Sequence, residues 1–335
     1  MNYIIFIFLF FSILFFLTKI SKKLNLIDHP NKRKIHLEST PTVGGLAIIL
    51  SLFIFSFFIP IIYEIRLLFY VSLIIFMIGM LDDIFQVNIL IRFFFQFFSA
   101  SILIGSGLTI VNLGGYSVIS SFELGIFGVF LTYFSVLCLI NAINFIDGLN
   151  GLSSGSIIIS LFSLILFTYF EGNNINDIFI YYLILACICF FLVNIGKLPF
   201  KIVFLGDSGS TSLGFILSFL LIYYTLPDNR LMHPVLSIWC IAFPMFELLN
   251  VIIKRLRLKI NIFHPDKRHI HHILLNKNFT HNQVLCILLS LSVFLNFFGF
   301  IIYLLIGPGP SLLSFVLVFL IYYYFSSLLN NNKFN

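Results

Sequence analysis

The stretch Asn141-Ala-Ile-Asn-Phe-Ile-Asp-Gly-Leu-Asn-Gly-Leu152 sets Asn141, Asn144, Asp147 and Asn150 three residues apart between apolar runs at about 124–141 and 152–170. Polar groups beside hydrocarbon are costly without partners. A polar turn between two runs of spanning length therefore marks a membrane boundary and, with it, a candidate site. Gly148 and Gly151 allow turns that bulkier residues resist. In the plainer reading the Asn residues only cap helices and form turns. Asp147 in the same short window argues against that.

Working outward, further apolar runs lie at about 2–18, 44–63, 66–82, 89–106, 176–194, 210–226, 233–252, 283–305 and 311–329, which makes eleven. The 335 residues are 60% hydrophobic and only 10% charged, whereas soluble domains carry roughly a quarter charged residues. Helices close their own backbone hydrogen bonds in lipid, and these lengths suit helices rather than barrel strands. The expectation is an all-α integral membrane protein, a polytopic bundle of about 10–11 transmembrane helices forming one domain over 1–335. The 45 Phe read as lipid-facing filler. Cys138, Cys187, Cys189, Cys240 and Cys286 lie in or beside apolar runs without zinc-type spacing and read as small hydrophobes.

The first run lacks a basic n-region and a small-residue cleavage site, and Lys19, Lys22 and Lys23 follow it. It reads as an uncleaved span with its N-terminus outside. Eleven alternating spans then put 19–43, 83–88, 142–151, 195–209, 253–282 and the C-terminal tail in the cytoplasm. Those segments hold every Lys and Arg except Arg66, Arg92 and Arg230, as the positive-inside rule requires. The net charge of +6 needs no nucleic acid, because anionic lipid and an anionic substrate suffice. The longest polar loop, 253–282, reads as a substrate-covering element.

The informative acids fall on that same face. Asp82-Asp83 end the third run; Asp207 sits in Gly206-Asp-Ser-Gly-Ser210; Asp266 precedes Arg268-His-Ile-His-His272. Two carboxylates about 4 Å apart repel by roughly 4 kcal/mol at an effective dielectric of 20, which a divalent cation or Arg92 would relieve. Alone, the pair reads equally well as a solvated helix end. Around Asp207, small residues let phosphate reach backbone N–H groups at a helix N-terminus, and the Asp could hold Mg²⁺. An N-cap made by Asp207 or Ser208 is the structural alternative. The histidines lack the i, i+4 spacing with an intervening Glu of catalytic zinc sites. Helical spacing puts His269 and His272 on one face and His271 on another, and phosphate binding beside Arg268 is the better functional reading. In the first loop, Arg33, Lys34 and His36 could supply cations.

Together these pieces resemble the polyprenyl-phosphate N-acetylhexosamine-1-phosphate transferases, glycosyltransferase family 4, in the branch of the undecaprenyl-phosphate GlcNAc-1-phosphate transferases. The resemblance rests on Asp82-Asp83, Asn141-x-x-Asn144-x-x-Asp147-Gly148, Leu205-Gly-Asp-x-Gly-Ser210, His269-Ile-His-His272, and Arg33-Lys34, His36 and Gly44-Gly45 in the first loop. It implies a Mg²⁺-dependent enzyme (Mn²⁺ is an alternative) of the bacterial inner membrane, with its site facing the cytoplasm. Undecaprenyl phosphate attacks the β-phosphate of a UDP-N-acetylhexosamine, GlcNAc by default. UMP leaves, in the first membrane step of O-antigen, lipopolysaccharide or cell-wall polymer synthesis. The resemblance also implies roles: Asp207 and Asn144 as metal ligands, Asp82 at the lipid phosphate with Asp83 in support, and Asp147 and Asn150 shaping the nucleotide pocket; Asp82, Asp83 and Asp147 form the catalytic set, and Asn141 is counted among the substrate-binding residues. Arg268, His269, His271 and His272 would bind the sugar diphosphate, Arg33, Lys34 and His36 are counted among the substrate-binding residues, and a homodimer is compatible with the resemblance. Asn150 stands where many members have a second Asp, Leu90 and Thr42 where basic residues are common, and Glu247 where Asp is frequent. The competing classes are a multi-span transporter, which would place its ionisable groups near mid-membrane, and a catalytically silent homologue.

Overall fold

The computed structural model describes residues 2–28, 39–116, 122–261 and 268–331. Arg33, Lys34 and His36, and also Asp266, lie outside the described residues. The chain is an all-α polytopic membrane bundle. In order it runs α1 (Asn2–Ile20), α2 (Gly44–Phe55), α3 (Tyr63–Phe85), α4 (Ile89–Gly105), α5 (Phe127–Ile146), α6 (Leu152–Phe170) and α7 (Ile178–Asn194). It continues through α8 (Gly206–Tyr223), α9 (Pro234–Cys240), α10 (Ala242–Arg257), α11 (Ile270–Leu275), α12 (His281–Ile306) and α13 (Pro308–Asn331). Among the described residues, regular strand is confined to β1 (Ile27–Asp28) paired antiparallel with β2 (Thr40–Pro41).

Each apolar run carries a helix, except that 233–252 carries the bent pair α9–α10, which turns by 72°. Among the described residues, six helices are long and apolar enough to cross a membrane, or seven with the bent pair counted as one span. The shortfall against eleven runs has a local cause. α2, α4 and α7 are shorter apolar helices: apolar but non-helical residues follow α2, while α4 and α7 begin only after the capping residues Asn88 and Asp177, and α8 opens on the polar stretch Gly206–Ser212. At the α9–α10 break, Asn296 of α12 donates from Nδ2 to the Cys240 carbonyl at 3.2 Å. A carbonyl freed at such a break needs a partner inside a membrane.

α8 is the core. Its side chains are buried from Ser208 to Tyr223, and α2, α3, α5 and α6 pack around it. Between helices in lipid, close packing and polar ties replace the hydrophobic drive. Gly79 shows how: a Cβ there would stand 2.5 Å from Ser208 Cα, so only glycine lets α3 lie this close to α8. The outer surface is as apolar as the core. Phe8, Phe16, Phe94, Phe130 and Phe294 are exposed, whereas Phe6, Phe10, Phe69, Phe215 and Phe246 are buried, so the lipid-facing reading holds for only part of the phenylalanines.

The ends of α1, α3, α5, α7 and α10 meet the starts of α2, α4, α6, α8 and α12 at one end of the bundle. Gly44 and Gly45 donate to the carbonyls of Phe204 and Leu205, each at 2.9 Å, tying α2 to the entry of α8. Asn194 closes α7 onto the next turn: its Oδ1 accepts from Gly151 N at 2.5 Å, and its Nδ2 donates to Val203 O at 2.7 Å.

Candidate active site

At this end a cleft of about 730 Å³ is lined by Asp82, Asp83, Asp147, Gly148, Asn150, Asp207 and His272, with Thr42, Gln86, Asn194, His281 and Asn282. A second, much smaller opening between α3, α4 and α8 is lined by Asp82, Arg92, Gln96, Asp207 and Thr211. Asp82 and Asp207 stand on both.

Asp83 lies four residues after Gly79, on the same face of α3, and so lands on the α8 N-terminus. Its Oδ1 accepts from Asp207 N at 2.8 Å, and its Oδ2 from Ser208 N at 3.1 Å and Ser208 Oγ at 2.8 Å. A helix N-terminus has unpaired N–H groups and a positive dipole end; here a neighbouring helix supplies the cap. Gly206 leads in at φ +78°, and a Cβ on it would press to 2.8 Å from Asp83 Oδ2. The N-cap expected from Asp207 or Ser208 is thus replaced, and Asp207 is left free to face the cleft.

Asp82 takes the opposite role. Arg92 of α4 donates from Nη1 to Asp82 Oδ2 at 2.6 Å and stands 4.0 Å from Asp207 Oδ2. The Asp82 side chain is 6% exposed and that of Asp207 42%, so Asp207 is the carboxylate open to a ligand. Asn144 donates from Nδ2 to Asp207 Oδ1 at 2.7 Å and to Ser210 Oγ at 2.9 Å. As placed, Asn144 orients the carboxylate with its amide nitrogen; an oxygen-ligand role requires the amide to turn over.

Three carboxylates share Arg92 and a helix N-terminus, and their oxygens are the hard donors that Mg²⁺ selects. Among the described residues no three His, Cys, Asp or Glu side chains close into a metal cage. Mg²⁺ does not need one, because one or two carboxylates with waters and substrate phosphates commonly hold it. The donor set fits the ion, with Asp207 the accessible ligand.

The turn 147–151 forms the next wall. Burial, then the charges of Asp207 and Asp83, push the Asp147 carboxyl well above the ordinary range. Asn150 lines the cleft. Asn141 does not: it bonds back to Leu137 O at 2.7 Å and reaches Gln96 Oε1 of α4 at 3.4 Å.

The histidines sit opposite. α11 begins only at Ile270, with His269 in extended backbone (φ −63°, ψ 146°), so helical spacing does not apply across His269–His272. The three rings cluster instead, His271 lying 4.3 Å from His272 and 5.4 Å from His269 between centroids. His271 is buried beneath Gly148, where a Cβ would come within 2.6 Å of its Nε2. Among the described residues, neither His271 ring nitrogen has a hydrogen-bond partner. Burial first, then the neighbouring His272, His269 and His281, holds its pKa well below the usual histidine range. His272 reaches the cleft, while Arg268 leads into His269 and is not among the cleft-lining residues.

Glu247 lies outside the set of site residues that the sequence motifs point to. It is fully buried, and its Oε1 accepts from Ile270 N at 2.7 Å and lies 3.4 Å from His269 Nδ1. A lone carboxylate inside an apolar helix was the available signal. Arg255, whose guanidinium lies 5.3 Å over the Phe145 ring, was lost among loop charges; His281 and Asn282 were hidden at the start of an apolar run.

The model of glycosyl transferase family 4 matches residues 65–225, the span holding both Asp82-Asp83 and Asp207. The chain is 32% identical over 331 residues to the undecaprenyl-phosphate alpha-N-acetylglucosaminyl 1-phosphate transferase of Escherichia coli K12, covering 95% of this chain and 88% of the relative. It is 32% identical over 328 residues to the protein of that name from Yersinia pestis, covering 96% and 90%. With the Pasteurella multocida protein of the same name it shares 30% over 339 residues, covering 94% and 89%. The chain belongs to glycosyl transferase family 4.

Proposed function

We propose that this protein transfers an N-acetylhexosamine-1-phosphate, with GlcNAc the first choice, from its UDP-sugar to undecaprenyl phosphate. The observation that carries this reading is that Asp82 and Asp207 stand on both the large cleft and the small opening between α3, α4 and α8. Such a pair can address two phosphates arriving from different sides, a nucleotide sugar from water and a lipid phosphate from the bilayer. The relatives' names point to the same reaction. The whole chain acts as one domain, with 253–282 contributing the histidine side. Net basic charge on the loops of this end supports a cytoplasmic orientation in a bacterial inner membrane.

In this reaction an oxygen of the lipid phosphate attacks the β-phosphorus of the UDP-sugar. The bond from that phosphorus to the bridging oxygen breaks, and UMP leaves with the electron pair. Such transfers need positioning and charge neutralisation more than covalent protein chemistry. Arg92 holds Asp82 beside the lipid-phosphate position. Asp83 fixes α8 so that Asp207 faces the cleft, and Asn144 holds Asp207 in one orientation. Asp207, with Asp82 opposite, would hold Mg²⁺, which when bound offsets diphosphate charge. Asp147, raised in pKa, and Asn150 face the nucleotide, and His272, backed by His269 and His271, faces the sugar diphosphate. A phosphate monoester is mostly dianionic near pH 7, so no residue need remove a proton before attack.

The test is UMP release by purified protein given undecaprenyl phosphate and a panel of UDP-N-acetylhexosamines, with and without EDTA. One UDP-sugar should give UMP in Mg²⁺ and none after chelation. Folded protein that releases no UMP with any of them contradicts the reading, and chelator-insensitive release contradicts the metal assignment.

A further inference from the structure

We infer that Tyr322, on the last helix, is a positioning residue for the histidine side of the site, acting through Glu247; for the substrate it affects, this rests on the transferase reading above.

α13 is mostly lipid-facing, with Leu313, Leu317, Leu320, Tyr324 and Phe325 exposed. Against that background, Tyr322 and Ser326 are buried, and they lie four residues apart on one helix face. Both engage α10. Tyr322 donates from its hydroxyl to Glu247 Oε2 at 2.6 Å. Ser326 Oγ accepts from Lys254 Nζ at 2.7 Å and from Asn250 Nδ2 at 3.0 Å. Asn250 Nδ2 also reaches Glu247 Oε2 at 3.3 Å, closing the network.

Glu247 thus divides its oxygens. Oε2 is held by α13 and Asn250, while Oε1 meets the first amide of α11 and the His269 ring. α11 has six residues, too few to hold itself by propagation alone, so its start depends on outside partners. A short hydrogen bond to a buried carboxylate fixes where that carboxylate points, and here that choice sets Ile270 and His269. The terminal helix, remote in sequence from every motif residue, therefore latches the histidine segment.

The test uses Tyr322→Phe in the full-length protein, which removes one hydroxyl and keeps the ring that packs 5.8 Å from Phe246. Two readouts are taken. In UMP release, KM for the UDP-sugar should rise about tenfold, the order expected from one hydrogen bond to a charged group. The maximal rate and the KM for undecaprenyl phosphate should stay within about twofold, since a shared loss of folding would lower rate and leave KM alone. In hydrogen–deuterium exchange, peptides covering 268–275 should exchange faster while those covering 206–212 do not change. Glu247→Gln, which keeps the volume and loses the charge, should produce the same pattern more strongly. Unchanged exchange in 268–275 overturns the latch, as does faster exchange spread equally over both segments. Loss of rate without a KM change overturns the positioning role. If the wild type releases no UMP, the transferase reading falls and the exchange readout alone decides the latch.

Discussion

The two sides of the cleft are built on the same device and differ in what surrounds it. On the acidic side Asp83 caps α8, and on the histidine side Glu247 caps α11. In both, a buried carboxylate from one helix meets the N-terminal amides of another. α8, however, has 18 residues and is buried along its length. α11 has six residues and is joined to the bundle through α10, α12 and α13. The acidic side is thus fixed by the membrane core itself, where glycine contacts leave no room for adjustment. The histidine side is held by a few hydrogen bonds together with Ile270, Ile273 and Leu274, which are buried. On the proposed function, the difference predicts that rate depends on the acidic side and substrate affinity on the histidine side.

Asp207→Asn should break that division most severely, because it removes the exposed carboxylate and keeps its shape. Turnover should fall by about a thousandfold, the upper range for losing one preorganised charge-stabilising group, while the thermal midpoint changes little.

Asp83→Asn comes next and separates the two carboxylates. Its amide nitrogen would oppose a backbone N–H of α8, leaving a buried donor unpaired at a cost of about 1–3 kcal/mol. Turnover and thermal stability should fall together. Glu247→Gln should instead raise KM for the UDP-sugar more than it lowers turnover. Steady-state kinetics on the two variants, with melting curves, checks the contrast. Equal kinetic signatures from both would show that the two sides do not divide the work.

Much of this was legible in the sequence, for reasons that can be traced to particular residues. Apolar run length gave the helices, since lipid leaves the backbone no other economical choice. Asp82-Asp83, Asp147, Asn150, Asp207 and His272 reached one cleft, with Asn144 bonded to Asp207, because alternating helices bring their connecting turns to the same end. What each carboxylate does was not legible. Asp82 and Asp83 point in different directions on α3, so one meets Arg92 and the other α8, and only packing decides which. The α11 start at Ile270 overturned the helical-face argument for the histidines, since a tie to Glu247 is invisible in local spacing. Asn141 had the right spacing but lies inside α5, where it satisfies itself and Gln96. Tyr322 and Ser326 carried no signal among neighbouring aromatic and small residues.

His272→Ala should have a smaller effect confined to affinity, raising KM for the UDP-sugar by about tenfold with the lipid KM unchanged. A turnover loss as large as that of Asp207→Asn would move the histidine to the reacting centre.

The smallest effect is on pH. His271 is held neutral by burial and its neighbours, and its pKa in the unfolded chain is about 6.5. A lowered pKa contributes stability that is present above the unfolded value and is lost as pH falls toward the folded one. Below about pH 6.5 the loss approaches about 1.4 kcal/mol per pH unit. His271→Gln should therefore flatten the decline in thermal midpoint between pH 7.5 and 5.5. A decline of the same slope in both proteins would show that His271 is not the group responsible.

The central claim, phosphosugar transfer by a site organised on Asp207, is tested most directly by lipid product. Purified wild type and Asp207→Asn, each with UDP-GlcNAc, undecaprenyl phosphate and Mg²⁺, are followed by mass spectrometry of the lipid fraction. The account predicts undecaprenyl-diphosphate N-acetylhexosamine from the wild type, in step with UMP, and about a thousandfold less from the variant. The same lipid product at equal rates from both proteins would contradict it.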